Sequence, residues 1–331
     1  MEKIDYGFVI LHYEAMDMTI KCIDDINNIS IGKSIKIIIV DNASSNKSGV
    51  TLQNKYKDIN EIEVLLLHKN LGFAQGNNYG YLFLKCNYDC KYMIIMNNDV
   101  LIEQSDFLKK IDDLHIKTNF AVLGPDIYSP KLNDSQSPTY RREIKNLYGR
   151  KIEDIQNIYN NIKKINTHFY YYKLRFLGGK IFRFFVKKKN LLKKEDNKNV
   201  ENLFNPNIEY ENVVLHGACY IFSKDYINKR KLCFNPNTFL YFEEDILHFE
   251  CLKENLKMVY SPKIKVIHLE DVSTDTVYKT SFKKSLFINK NLEASLEVYL
   301  NMNKNLRGGV QQYSRIKFAK IFAPSSLWRC A

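Results

Sequence analysis

The residues most able to do chemistry in this sequence are one acid after an apolar run, three adjacent acids and a late histidine. They are Asp99 after the run 92–96, then Glu243, Glu244 and Asp245, and finally His268. A carboxylate and an imidazole can hold a divalent cation against a diphosphate, because such cations bind oxygen and nitrogen donors. A second carboxylate can take the proton from an attacking hydroxyl. These residue types therefore predict group transfer from an activated, phosphate-bearing donor.

The composition indicates one domain with appendages. The chain has 331 residues, 45% of them hydrophobic, a size that a single α/β domain with an insertion reaches. The longest apolar runs, such as 35–40, have the length of a strand and are too short to span a bilayer. Glu2 and Asp5 interrupt the start, so we expect no signal peptide and a cytoplasmic location. The seven cysteines show no zinc-type pairing, and we expect them to be reduced.

The net charge of +12 predicts attraction to nucleic acid, anionic lipid or a phosphorylated substrate. Its densest part, 163–198, mixes lysines with phenylalanines and tyrosines. That mixture is typical of a segment lying on an anionic membrane surface, so we expect peripheral contact with the inner face of the cell membrane. A solvated helical face is an equally weighted alternative.

Strands and helices alternate through the first hundred residues. Apolar, β-rich runs predict strands at 6–13, 35–40, 64–67 and 92–96, and apolar residues at helical spacing predict helices at 17–29 and 74–84. Such alternation favours a mostly parallel sheet, which binds its ligands beyond the carboxyl ends of the strands. Polar residues gather at those ends, at 12–13, 41–42, 68–72 and 97–99.

The remainder divides into four further segments. The pattern weakens across 126–212, which we interpret as a basic, aromatic-rich, partly helical insertion. Within 213–275 regular alternation returns at 213–222, and we expect a helix from Glu244 or Asp245 and short strands at 258–260 and 264–268. The extension 276–307 holds an expected amphipathic helix at 278–301, which can pack on a second copy as readily as on its own core. The origin of the tail 308–331, native or vector-derived, stays open.

Four segments share a characteristic order and spacing. They read Val-Ile-Leu-His-Tyr at 9–13, Val-Asp-Asn-Ala-Ser at 40–44, Asn-Leu-Gly-Phe-Ala-Gln-Gly-Asn-Asn-Tyr-Gly at 70–80, and Phe-Leu-Tyr-Phe-Glu-Glu-Asp at 239–245. Each is weak alone. Together they resemble family 2 glycosyltransferases of the GT-A fold, in the branch that includes bacterial rhamnosyl- and galactofuranosyltransferases. The resemblance covers roughly 6–124 and 213–271.

That resemblance implies a Rossmann-like α/β domain, with a mostly parallel sheet flanked by helices, a helical basic insertion and C-terminal helices. Residues 1–125 would form the half that binds a nucleotide sugar, and 213–275 the acceptor and catalytic half. The implied activity is inverting transfer of a hexosyl unit from a UDP- or dTDP-sugar to a hydroxyl of a lipid-linked, cell-surface glycan. Mg²⁺ or Mn²⁺ would bridge the two phosphates.

The resemblance also implies roles for individual residues. The donor side comprises His12, Tyr13, Asp41, Asn70, Gly72, Gly76, Asn77 and Asn98, and the acceptor side His216, Gly217 and Tyr241. Asp99 and His268 are the implied metal ligands, although Asn97 replaces the first acid of the family's Asp-x-Asp motif. Glu244 matches the family's base best. Glu243 and Asp245 stay open, because an unseen turn can shift three adjacent acids in register.

Simpler roles exist for several of these residues. Asp41 would suit a turn after a strand, Gly72 would suit helix capping, and His268 would suit ordinary packing. The three acids would also complement a helix dipole. We favour functional roles because the polar strand ends cluster at one sheet edge and because the aromatic run 239–242 directly precedes the acids.

Other functions compete with sugar transfer. A nucleotidyltransferase would need a basic glycine-rich loop near the first strand, and 11–19 offers none. The net positive charge is the only feature that favours a nucleic-acid-binding protein. We therefore expect no nucleic-acid partner. An inactive, glycan-binding scaffold is encouraged by Asn97 only.

Overall fold

The described part of the chain forms a ten-stranded sheet with helices packed on it. The structure, a computed structural model, describes residues 1–175, 204–270 and 281–307. The strands are β1 Glu2–His12, β2 Ile35–Asp41, β3 Ile62–Leu66, β4 Tyr88–Asn97, β5 Val100–Leu101, β6 Val122–Ser129, β7 Asp134–Ser135, β8 Tyr210–Glu211, β9 Cys219–Ser223 and β10 Met258–His268. The helices are α1 Met16–Ile29, α2 Ser48–Tyr56, α3 Gly72–Asn87, α4 Phe107–Thr118, α5 Ile152–Arg175, α6 Lys224–Lys229, α7 Glu243–Lys253 and α8 Ser281–Arg307.

The sheet order is β3-β2-β1-β4-β9-β6-β10-β5, with β7 beside β6 and β8 beside β10. The long ladders β3-β2-β1-β4 and β6-β10 are parallel. Strand β9 lies antiparallel between β4 and β6. The predicted α/β fold, with a mostly parallel sheet flanked by helices, is confirmed. The carboxyl ends of β1, β2 and β4 consequently lie along one edge, as the sequence predicts.

Alternate side chains of β1 enter two separate cores, because successive residues of a strand point to opposite faces of the sheet. Tyr6, Phe8 and Ile10 pack with buried residues of α1, α2 and α4. Val9 packs in the other core, with the partly buried Leu11 and with buried residues of α3 and α7. Both faces of the sheet are therefore covered, which holds the polar strand ends in a fixed arrangement.

Several predicted elements have different bounds in the structure. The short strands expected at 258–260 and 264–268 are one strand, β10, whose pairing with β6 shifts register between Ser261 and Lys265. The helix expected from Glu244 or Asp245 begins one residue earlier, at Glu243. The helical part of the insertion is α5. Most of the basic segment 163–198, all of 308–331 and the start of the helix expected at 278–301 lie outside the described residues.

Helices α5 and α8 pack against each other and against α7. Ile155, Ile162, Leu296 and Ile246 belong to the cluster they share, a small third core. The Asn166 side-chain amide donates to Asn289 O at 3.2 Å. The C-terminal helix therefore covers the helix that carries the acidic triplet. Within the described ranges, every helix is too short or too polar to cross a bilayer.

Candidate functional site

Three strand ends bring the predicted site residues together. Strand β4 ends at Asn97, and its antiparallel partner β9 follows the segment 216–218. The N–H of Asn97 donates to Ala218 O at 3.0 Å, which extends the β4–β9 pairing into both loops. Strand β10 ends at His268. The turn 98–99, the segment 216–218 and His268 therefore meet at one edge of the sheet.

Asp99 and His268 form a close pair at this edge. His268 Nε2 lies 3.3 Å from Asp99 Oδ1, and the N–H of Leu269 donates to Asp99 O at 3.0 Å. Both side chains are largely buried. A carboxylate oxygen and an imidazole nitrogen are donors that a divalent cation such as Mn²⁺ accepts. Among the described residues, including those at this edge, there is no cluster of three or more His, Cys, Asp or Glu side chains that could hold a metal ion. The pair fits a cation whose other ligands come from phosphate or water.

His216 is a neutral neighbour of this pair. Its ring lies edge-on to His268, with the centroids 5.8 Å apart. The N–H of Ala218 donates to His216 Nδ1 at 3.2 Å, so the ring proton belongs on Nε2. Burial, reinforced by His268 and opposed by Asp99, lowers the pKa of His216 to about 3. At neutral pH His216 therefore carries no charge and can donate one hydrogen bond through Nε2.

The next residue, Gly217, contacts the acidic triplet. Its N–H donates to the Glu244 carboxylate, and a Cβ at position 217 would stand 2.7 Å from Glu244 Oε1. Glu244 is the half-exposed member of the triplet, whereas Glu243 and Asp245 are buried. Burial raises the pKa of Glu244, although its own N–H and that of Gly217 oppose the shift. Segment 216–218 thus joins the Asp99–His268 pair to Glu244.

Glu243 and Asp245 are held inside the protein. Burial, followed by the charge of Glu244, raises the pKa of Glu243 to about 8. Burial also raises the pKa of Asp245 to about 7, although Tyr140 and Arg150 oppose the shift. The Tyr140 hydroxyl donates to Asp245 Oδ2 at 2.6 Å. All three acids lie in the first turn of α7, where the helix dipole favours the charged form, so burial outweighs the dipole here.

The backbone before the triplet is strained. Tyr241 and Phe242 have φ values of 74° and 72°, in the left-handed region that bulky residues rarely occupy. Each such residue costs about 1–3 kcal/mol and persists only where packing enforces it. The Phe242 ring packs edge-on against Tyr299 of α8, with the centroids 5.6 Å apart. Helix α8 therefore helps to hold the turn that presents the acids.

At the end of β2, Asp41 faces its own loop. It accepts hydrogen bonds from the Ser44 hydroxyl at 2.5 Å and the Ser44 N–H at 3.2 Å. His12 Nε2 lies 4.0 Å from Asp41 Oδ1 and 2.8 Å from Ser48 Oγ. Because Gly49 has no side chain, the carboxylate of Asp41 can lie against the start of α2. Asp41 is thus held rigidly at the strand end.

His12 lies beneath the surface of the candidate site, and its role in donor binding stays a prediction. The resemblance assigns it to the donor surface, but it is wholly buried. Its Nδ1 lies 2.7 Å from Thr19 Oγ1, which also accepts a hydrogen bond from Asn98 Nδ2 at 3.0 Å. Burial lowers the pKa of His12, although Asp41 and Glu14 oppose the shift. His12 and Asn98 therefore link the Asp41 loop to the Asp99 turn from beneath the surface.

The glycines of α3 pack against the sheet. A Cβ on Gly76 would stand 2.5 Å from Leu11 Cδ1, and one on Gly72 would clash with the main-chain oxygen of Phe239. The N–H of Phe73 donates to that same oxygen at 2.7 Å. The space on the Cβ side of these two glycines is therefore filled by protein, and their close approach to a ligand stays a prediction.

Other predicted donor residues lie around the start of α3. Asn70 is exposed, and its Oδ1 accepts the N–H of Gly72 at 2.8 Å. Burial, followed by Glu14, raises the pKa of Tyr13, and a hydrogen bond with the Asn70 side chain opposes the shift. Asn77 is buried and donates to Phe73 O at 3.0 Å. Its Oδ1 has no hydrogen-bond partner among the described residues.

Some residues that shape the site are not among the sequence candidates. Asn42 accepts the N–H of Leu71 at 2.8 Å and donates to Gly72 O at 3.2 Å, and so holds the loop before α3. Asn42 directly follows Asp41 in the segment 40–44, and this position in the sequence could have identified it as a site residue. Tyr140 and Gln136 lie within 126–212, the predicted insertion, where local sequence gives no sign of contact with Asp245 or His268.

Comparison with known proteins identifies the family. Residues 8–195, more than half of the chain, match the profile described as Glycosyl transferase family 2. The chain belongs to this family. The predicted family is confirmed at this level, and the rhamnosyl- and galactofuranosyltransferase branch stays a prediction. No curated protein matches the chain.

Two solved structures illustrate the range of structural similarity. Staphylococcus aureus TarS 1–349 in complex with UDP is 13% identical, with 38% of this chain and 36% of that chain aligned and a TM-score of 0.33. The chain thus spans little more than a third of that relative. The mannosyltransferase PcManGT from Pyrobaculum calidifontis, in complex with GDP-Man and Mn²⁺, is 8% identical, with 94% and 77% aligned and a TM-score of 0.46.

Proposed function

We propose that this family 2 member transfers a hexosyl unit from a nucleoside-diphosphate sugar to an acceptor hydroxyl, with inversion at the anomeric carbon. One observation carries the proposal. Segment 216–218 contacts the Asp99–His268 pair through His216 and the Glu244 carboxylate through Gly217. The proposed cation site and the proposed base would thereby be adjacent, as one displacement requires.

Glu244 is the proposed base. It is the half-exposed acid of the triplet, so an acceptor hydroxyl can reach it. Asp245 is occupied by Tyr140, and Glu243 is buried. The raised pKa of Glu244 favours proton acceptance, because a stronger base takes a proton more readily from a hydroxyl. A single base acting in one displacement gives inversion.

Asp99 and His268 are the proposed ligands for Mg²⁺ or Mn²⁺. A divalent cation at a diphosphate neutralises the charge that develops on the leaving nucleotide. The main-chain N–H of Asn97 donates to Ala218 O. The side-chain amide of Asn97 binds a divalent cation more weakly than the acid that the family's motif has at this position. The affinity for the cation alone is therefore expected to be modest.

The donor half would be 1–125 and the acceptor half 213–275. Tyr13, Asp41 and Asn70 would receive the nucleoside of a UDP- or dTDP-sugar, while His12, Gly72, Gly76, Asn77 and Asn98 would shape the loops behind it. His216, Gly217 and Tyr241 would line the acceptor side. We further propose a lipid-linked, cell-surface glycan as the acceptor, a cytoplasmic location with contact to the inner face of an anionic membrane through 163–198, and a homo-oligomer.

Nucleotide binding tests this proposal. Melting of the full chain would be followed with UDP, dTDP, GDP and CDP, each with Mn²⁺ or with EDTA, because a ligand of the native state raises the melting temperature. We expect a metal-dependent rise with one nucleotide. Asp99→Ala should remove the metal dependence, whereas Asp24→Ala, a change of an exposed acid, should not.

Turnover supplies the second arm. With the donor so identified, Glu244→Gln should lower transfer by about 10²–10⁴-fold and leave nucleotide binding unchanged, while Glu63→Gln, a change of an exposed acid, should behave as wild type. The opposite result would be no rise with any nucleotide, together with salt-sensitive binding to nucleic acid that Asp99→Ala and Glu244→Gln leave unchanged. That result would replace the transferase with a polyanion-binding protein.

A further inference from the structure

Gln136 connects His268 to a second acid. The main-chain N–H of Gln136 donates to Ile127 O at 2.7 Å, which anchors this residue just after β7. Its side-chain Oε1 lies 2.8 Å from His268 Nδ1. Its Nε2 lies 2.6 Å from Glu270 Oε1. A continuous row of hydrogen bonds therefore runs from Glu270 through Gln136 to His268, and His268 then faces Asp99.

The chemistry of the groups sets the direction of each hydrogen bond. An ionised carboxylate only accepts hydrogen bonds, so the NH₂ group of Gln136 must face Glu270. The amide oxygen of Gln136 then faces His268 and only accepts, so His268 Nδ1 must carry the proton. In the neutral ring Nε2 is left with its lone pair, 3.3 Å from Asp99 Oδ1.

We propose that Gln136, oriented by Glu270, is a positioning residue that fixes the tautomer and the ring orientation of His268, so that the Nε2 lone pair and the Asp99 carboxylate together bind a divalent cation. Two acceptors facing each other repel unless positive charge lies between them. A second ring proton on Nε2 would supply that charge in an imidazolium, and a divalent cation supplies it when the ring is neutral. His216 does not supply it through Nδ1, because that atom accepts the Ala218 N–H. The cation itself belongs to the function proposed above, on which this inference rests.

Partners that orient a metal-bound histidine typically contribute about 10–100-fold to metal affinity. Gln136→Met keeps the length of the side chain but removes both hydrogen bonds. Gln104→Met is the matched control, because the Gln104 amide also bridges to β10. Its Oε1 accepts the N–H of Lys265 at 2.9 Å, and its Nε2 donates to Lys263 O at 3.0 Å.

The first measurement is the tautomer, read from ¹⁵N chemical shifts of the histidine rings in the metal-free full chain. The His268 signals are assigned from their loss in His268→Gln. We expect a proton on Nδ1 in the wild type and in Gln104→Met, and a mixture of tautomers in Gln136→Met. Glu270→Met should also give a mixture, because the Gln136 amide can then present either of its sides to the ring.

The second measurement is the affinity for Mn²⁺, read from the electron paramagnetic resonance signal of the free ion. Gln136→Met should weaken binding by about 10-fold or more, and Gln104→Met should not. The double variant Gln136→Glu/Glu270→Gln swaps the two side chains. The carboxylate at 136 would accept from His268 and the amide at 270 would donate to that carboxylate, so the double variant should restore both the tautomer and the Mn²⁺ affinity. Melting temperatures identify any variant that fails to fold, in which case Glu270→Met and the double variant decide.

The outcomes separate this inference from the proposed function. A proton on Nε2 in the wild type, or a tautomer and Mn²⁺ affinity unchanged by Gln136→Met, would overturn the role of Gln136. If the tautomer responds as expected but the wild type binds no Mn²⁺, the positioning role stands and the metal part of the proposed function fails. Nucleotide binding and the effect of Glu244→Gln test transfer independently of both results.

Discussion

The main-chain N–H of Gly217 donates to the Glu244 carboxylate, and this contact requires that position 217 has no side chain. Gly217→Ala would place a Cβ 2.7 Å from Oε1 and push the acid out of position. Displacement of a catalytic group by about 1 Å costs roughly 10²-fold. The proposed role of Glu244 as the base therefore predicts that turnover falls by about that factor with nucleotide binding retained. Steady-state kinetics with the identified donor measures it.

The control for that change is Gly7→Ala. A Cβ there would meet the Leu84 side chain at 2.8 Å, a similar degree of crowding within the sheet core and away from the acids. Gly7→Ala should lower stability without a specific loss of turnover. Equal losses of turnover in both variants would mean that Gly217 serves packing alone.

The start of α3 should be intolerant of a side chain for two separable reasons. Gly72 has a φ of 75° and faces the main-chain oxygen of Phe239, whereas Gly32 has a φ of 76° and no atom within 4 Å of an added Cβ. Gly32→Ala therefore reports backbone strain alone, about 1–3 kcal/mol. Gly72→Ala should cost at least about 1 kcal/mol more. Urea denaturation compares them, and equal losses would contradict the observed approach of Phe239.

The hydrogen bond between Tyr140 and Asp245 should contribute measurably to stability. Tyr140→Phe leaves a buried carboxyl without this donor, so we expect a loss of about 1–3 kcal/mol in the free energy of unfolding. Tyr260→Phe is a suitable comparison, because the Tyr260 hydroxyl reaches Asp126 only at 3.4 Å. Its loss should be the smaller in the same denaturation experiment. A reversed order would show that Tyr140 is held by its ring contacts instead.

Stability should fall as the pH rises from about 5 to about 8. Glu243 has a pKa of about 8 in the folded chain and an ordinary value of 4.5. Between these two values the folded state binds more protons than the unfolded state, so the free energy of unfolding decreases as the pH rises. Each pKa unit corresponds to about 1.4 kcal/mol. Glu243→Gln should flatten the dependence relative to wild type by at least about 1 kcal/mol. The difference between the two curves cancels the opposite contribution of His216.

Denaturation at several pH values gives both curves. Glu63→Gln, a change of an exposed acid on β3, should leave the slope as in wild type. Superimposable curves for Glu243→Gln and wild type would mean that Glu243 is ionised when buried.

The first half of the fold is predictable from sequence because its strands are apolar runs bounded by polar turns. The run 35–40 is recovered as β2, extended by Asp41 alone. Helix α2 is not predicted, because Leu52 and Tyr56 are its only large buried apolar residues and Val50 is exposed, which leaves little helical periodicity. Local pattern therefore identifies elements in proportion to how many large apolar side chains they bury.

The candidate site is predictable only in its parts. Asp99, Glu244 and His268 are recognisable by type and position, but their neighbours depend on pairings across long stretches of chain. Gln136 meets His268 from 132 positions away, and Tyr140 meets Asp245 from 105. Nothing local in the insertion marks these two residues, because their roles arise from how β7 and the following loop dock on the sheet.

The β4–β9 pairing fixes a separation that side chains cannot alter. Hydrogen-bonded strands lie about 4.8 Å apart because of their backbones, and the Asn97–Ala218 hydrogen bond continues that spacing to the loops that carry Asp99 and Gly217. The backbone of the sheet thus fixes the distance between Asp99, where a leaving group would depart, and the Gly217–Glu244 contact, where a proton would be taken. Acceptor preference can therefore diverge through changes in the surrounding loops while the reaction geometry stays constant.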